Sequence, residues 1–124
     1  EMLDALLQPH VPLGRDASMF VEPTRALVAV DVNTGGDFSF AAALKANLAA
    51  ARELPRQLRL RGLGGQIVVD FAPVAKKDRK LVEQTLKRAF RDEGIDTALV
   101  GWTPLGHMEL QRKRERLPLD LRLI

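Results

Sequence analysis

Apolar residues along the chain follow two periods, and the switches between them lay out the elements. Leu27-Val28-Ala29-Val30-Asp31-Val32 is a short, nearly continuous apolar run closed by Asn33, Thr34, Gly35 and Gly36. Gly64-Gly65-Gln66-Ile67-Val68-Val69-Asp70-Phe71 repeats that grammar and is closed by Pro73. Each predicts a buried strand with one Asp at or near its C-terminal end. Residues 18–22 read as a further short strand, which Pro23-Thr24 turns into residues 25–32 as a hairpin. Thr97-Ala98-Leu99-Val100-Gly101-Trp102 is another apolar run and another predicted strand.

Helical spacing fills the intervals. Residues 40–61 carry Leu44, Leu48, Ala51 and Leu58 near one face, with Gly62 and Gly64-Gly65 as the stop. Pro55 removes a hydrogen bond to Ala51 and is expected to kink that helix. Residues 76–92 give the cleanest amphipathic pattern: Leu81, Val82, Thr85, Leu86, Ala89 and Phe90 face one way, Lys76, Lys80, Lys87 and Arg91 the other. Residues 1–8 read as a short helix ended by Pro9 and Pro12, Thr103-Pro104 as the cap of another, and residues from 117 as an edge strand. The order hairpin, helix, strand, helix, strand predicts an α/β (α+β) fold, with a mixed sheet and helices packed on it. Ligands in such sheets sit outside the carboxyl ends of the strands, where Asp31 and Asp70 fall.

Composition narrows this picture. The 124 residues suffice for one compact domain, and 46% hydrophobic with 28% charged residues is ordinary for a globular fold. Five Phe, one Trp and no Tyr supply a base-stacking platform poorly. The absence of cysteine excludes disulfides and thiolate zinc sites, and the expected location is cytoplasmic. No apolar run approaches the roughly 20 residues of a membrane span. The chain opens on Glu1, as expected of a catalytic domain (residues 1–124) that is part of a longer protein. The net charge of +3 is mild, but basic residues crowd into 52–61, 76–91 and 112–116.

Two carboxylates without a neighbouring His or Cys suit a hard divalent cation, most naturally Mg²⁺, which takes one or two carboxylates and keeps several waters. Such an ion makes water a better nucleophile and stabilises charge on phosphoryl oxygens, the chemistry of a nuclease. Asn33, two residues from Asp31, lies on the same side of an extended strand. Each of the three also fits a plainer role, an Asx turn at a strand end. Arg52, Arg56 and Arg59 share a helical face that could grip phosphates or be merely solvated. Arg61, Lys76 and the denser Arg112-Lys113-Arg114 carry the same two readings. Nothing places His10 and His107 as a metal pair or as general acid and base, though His107, in the loop after Gly106, could face the rim; Met108, Leu110 and Trp102 read as core.

Asp31-Val32-Asn33-Thr34-Gly35 resembles the Asp-Ile-Asn-Ser/Thr-Gly segment of the ribonuclease E/G family. The stretch from Asn47-Leu48-Ala49-Ala50-Ala51 through Arg56-Gln57-Leu58-Arg59-Leu60-Arg61-Gly62-Leu63-Gly64-Gly65 to Ile67-Val68-Val69-Asp70-Phe71 is similar to that family's most distinctive segment. Gly106-His107-Met108-Glu109-Leu110-Gln111-Arg112-Lys113-Arg114 resembles its Gly-Leu-x-Glu-x-x-Arg-x-Arg motif. The likeness covers about residues 1–118. It implies a deoxyribonuclease I-like catalytic subdomain of a Mg²⁺-dependent endoribonuclease that cuts single-stranded RNA. On that reading Asp31 and Asp70 hold the ion, Asn33 supports them, and Arg56, Arg59, Arg61, Lys76, Arg112 and Arg114 bind RNA. It also implies further domains as partners and a homo-oligomer. The zinc-binding cysteines, S1 domain and 5′-end sensing region of larger members are not in this sequence, so a zinc-linked tetramer and 5′-monophosphate sensing are not implied. The alternative from a different class is an RNA-binding or scaffold module without turnover.

Overall fold

A computed structural model of the chain describes residues 4 and 8–114. Among these residues six strands form one mixed sheet: β1 (His10–Pro12), β2 (Ser18–Pro23), β3 (Val28–Asn33), β4 (Gly65–Asp70), β5 (Thr97–Trp102) and β6 (Met108–Arg112). Two helices accompany them, α1 (Phe40–Arg61) and α2 (Lys76–Glu93). The strand order is β1-β2-β3-β4-β6-β5, with β3 and β4 parallel and every other neighbouring pair antiparallel. The predicted hairpin, both long helices and the parallel crossover are present.

Burial alternates along the strands. Val28, Val30 and Val32 of β3 are buried while Ala29, Asp31 and Asn33 are exposed. Ile67 and Val69 of β4 are likewise buried, and Gln66 and Asp70 exposed. The two Asp-bearing runs are therefore buried on one face only, a correction to the fully buried strands expected. Both helices cover that face, and the opposite face meets solvent.

In α1 the Ser39 hydroxyl accepts from the Ala42 N–H at 3.1 Å, and Gly62 ends the helix at φ 66°. The helix runs on through Pro55. Its buried stripe is Ala43, Ala46, Asn47, Ala50, Ala51, Leu54 and Leu58, while Leu44 and Leu48 are only partly buried. Small side chains let a helix backbone approach its neighbours, so in the first half of α1 Ala43, Ala46 and Ala50 rather than Leu44 and Leu48 take the inward face. In α2, Val82, Leu86 and Phe90 are buried, whereas Leu81, expected inside, is 44% exposed.

Two strands escaped the sequence reading. β1 is a short edge strand, where Pro12 is tolerated because no neighbour needs its missing N–H. β6 sits antiparallel between β4 and β5 and begins where a short helix was expected. Instead, Thr103 closes a hairpin: its N–H donates to the His107 carbonyl at 2.7 Å, and its hydroxyl accepts from the His107 N–H at 3.1 Å. Apart from Asp4 and Gln8, the helix expected over 1–8 lies outside the described residues, as does the edge strand expected after 117. No helix among the described residues is long and apolar enough to cross a membrane.

Candidate metal centre

The parallel register pairs Asp31 directly with Asp70. Both are therefore on the open face, one at the last step of β4 and the other two residues before β3 ends. Adjacent strands lie about 4.8 Å apart, so the carboxylates face one another at close range. Asp31 responds to this: partial desolvation, then the charge of Asp70, then that of Glu22 raise its carboxyl above the ordinary value. The pair thus offers hard oxygen donors whose ionised state a cation would relieve, which fits Mg²⁺. Among the described residues no cluster of three or more His, Cys, Asp or Glu side chains is placed to hold a metal. A cation here would draw its remaining ligands from water.

Asn33 shares the exposed face with Asp31, and its side-chain oxygen accepts from the Gly35 N–H at 2.7 Å. The Asx turn is realised, and it shapes the loop beside the carboxylates. Gly35 must be glycine there. Its φ is 78°, and a Cβ would meet the Asp16 side chain at 2.7 Å.

Two neighbours were not assigned from the sequence. His107 Nε2 lies 3.6 Å from Asp70 Oδ1, brought there by the hairpin that precedes β6. The loop after Gly106 left open that His107 could face the rim, but with β6 unpredicted nothing favoured that approach. Asn47, fully buried on α1, donates to the Ala72 carbonyl at 2.8 Å and accepts from the Ala72 N–H at 2.9 Å. It clamps the backbone two residues past Asp70 to the helix. The available signal was a polar residue inside an otherwise apolar stripe.

The basic residues sort by distance from this end. Lys76, the first residue of α2, is exposed just beyond the β4–α2 loop. Arg56, Arg59 and Arg61 end α1, and Arg112 pairs with Gly65 at the start of β4, about 17 Å of strand away from Asp70. Arg56 bonds Glu53 at 2.9 Å and Arg59 reaches Glu93 at 3.3 Å. Arg61 and Arg112 are corrections to the RNA-binding set. Arg61 is 6% exposed, bonding the Gln57 side chain at 3.0 Å and the Gln8 carbonyl at 2.6 Å. Arg112 is 2% exposed and grips both oxygens of Glu93, at 2.7 and 2.9 Å. A guanidinium so enclosed has no edge to offer a phosphate. Arg114 is exposed and lies over Gly65, where a Cβ would meet its Nη2 at 2.7 Å.

Comparison with known proteins agrees with the motifs. The sequence model of the Ribonuclease E/G family matches residues 1–115. The chain is 40% identical over 126 residues to the chloroplastic Ribonuclease E/G-like protein of Arabidopsis thaliana, covering 94% of this chain and 12% of that one. It is 39% identical to Ribonuclease E of Nostoc sp., covering 88% and 17%. With Ribonuclease G of Salmonella typhimurium it shares 34% identity, covering 89% and 24%. The chain thus spans a quarter or less of the length of these relatives. On the match over residues 1–115, the chain belongs to the ribonuclease E/G family.

Proposed function

We propose that this chain is the metal-binding catalytic part of an endoribonuclease that cleaves single-stranded RNA with Mg²⁺. The observation that carries the reading is the Asp31–Asp70 register on the open face of the sheet. The family supports the substrate class, since the relatives are named as ribonucleases. Asp31 and Asp70 would hold the ion. When bound, Mg²⁺ supplies positive charge to the phosphoryl oxygens and makes water a better nucleophile. Asn33 holds the loop 33–36 folded beside the carboxylates through its bond to Gly35. Asn47 keeps the chain after Asp70 from drifting. Lys76 offers a cation to the RNA backbone at the same end. Further domains of a longer protein, and a second copy, would complete the grip on substrate.

Cleavage of a single-stranded RNA in Mg²⁺ and in EDTA tests this. Asp31→Asn and Asp70→Asn are each expected to lower the rate by more than the roughly 10–100-fold that losing a supporting partner costs. Mg²⁺-dependent cleavage untouched by either change would sink the site. A second reading, RNA binding without turnover, draws on the small share of its relatives that the chain spans. It predicts salt-sensitive RNA binding, no cleavage, and indifference to both substitutions.

A further inference from the structure

Resting on that reading, we propose that Arg79 and Trp102 form a shelf for a nucleotide flanking the bond to be cut. Arg79 lies in the first turn of α2, at the carboxylate end of the sheet, and Trp102 is the last residue of β5. The Arg79 guanidinium sits 5.2 Å over the Trp102 ring, and Phe71, next to Asp70, stacks at a tilt on that ring at 5.9 Å. A guanidinium lying on an indole has its face covered and its in-plane N–H edges available, the geometry that takes a phosphate. Arg56, Arg59 and Arg112 are all tied to carboxylates, whereas Arg79 has none as a partner among the described residues. Both Arg79 and Trp102 are half-buried, so the pair is fixed against the core while part of it stays open to solvent.

The turn between β5 and β6 joins this shelf to the carboxylates. Gly106 has φ 87°, and a Cβ there would lie 3.1 Å from Arg79 Nη2. The next residue, His107, is the one beside Asp70. Trp102 pairs with the core residue Met108 and so faces the helices, while Asp31 and Asp70 face solvent. Shelf and carboxylates are two sides of one sheet end. A strand crossing that end would present one phosphate to Asp31 and Asp70 and a neighbouring nucleotide to Arg79 and Trp102.

The chain has one tryptophan, so its emission reads the shelf directly. Titrating a short single-stranded oligoribonucleotide into the intact chain in EDTA is expected to quench Trp102. Arg79→Ala should weaken that titration about tenfold, a stacked base with its phosphate being worth at least that much. Arg79→Lys should recover part of the loss, and Asp31→Asn, which removes a negative charge beside the strand, should not weaken the titration. In Mg²⁺, Arg79→Ala should raise KM by a similar factor with kcat within about twofold. Quenching that is absent, or that Arg79→Ala leaves intact, overturns the shelf whatever Asp31→Asn does to cleavage. Cleavage indifferent to Asp31→Asn overturns the metal reading instead, and the Trp102 titration then decides the shelf by itself.

Discussion

At the scale of single residues, Asp31 binds its proton more tightly in the fold than in the unfolded chain. The sign follows from linkage. Ionised Asp31 costs stability at neutral pH, and the cost is relieved as pH falls through its raised folded-state value. Asp31→Asn removes the cost outright. In metal-free buffer this variant is therefore expected to melt no lower than the native chain and somewhat higher at pH 7, with the difference shrinking on acidification. Thermal unfolding across pH checks it; a variant that melts lower at pH 7 would mean that the ionised carboxylate is stabilising. The two aspartates were legible because each closes an apolar run before a turn. His107 was not, since its approach to Asp70 depends on a hairpin whose second strand the sequence pattern concealed. Asn33 was legible both ways: its turn is formed, and it lies on the face of Asp31.

At the scale of elements, β6 shows how a charged residue can mislead. Met108, Leu110 and Arg112 alternate with Glu109 and Gln111, a period of two that puts Arg112 among the core residues. Read as part of a basic run, Arg112 belonged to an RNA contact; read in its strand, it belongs with Glu93 at the end of α2. There it also bonds the Thr97 hydroxyl at 3.0 Å and lies 5.6 Å over the Phe90 ring. Removing one partner of a buried pair leaves the other charge uncompensated. Arg112→Met is expected to destabilise the chain by about 3–5 kcal/mol, and adding Glu93→Leu to recover most of that loss. Urea unfolding of the single and double variants measures both. Additive losses would contradict the pairing. The helices, by contrast, were legible nearly to the residue, because each ends on a glycine with positive φ, Gly62 or Gly94.

At the scale of the whole molecule, the sheet has one face sealed by helices and one open to solvent, and its two ends differ in charge. Asp31 and Asp70 stand at one end with Lys76 and Arg79 nearby, while Arg56, Arg59 and Arg114 gather toward the other. The class of fold was legible in the alternation of strand and helix patterns. Strand order was not, because a late antiparallel strand inserted between β4 and β5 leaves no trace in local periodicity. The centre of the site is the Asp31–Asp70 pair on the open face. The most direct test is a Mg²⁺ titration followed through the side-chain carboxyl ¹³C resonances of the chain. Asp31 and Asp70 are predicted to shift together and saturate at one common midpoint, with Asp31→Asn abolishing the response of Asp70. Resonances of both that stay still while Mg²⁺ is added, or that move with unrelated midpoints, would contradict the account.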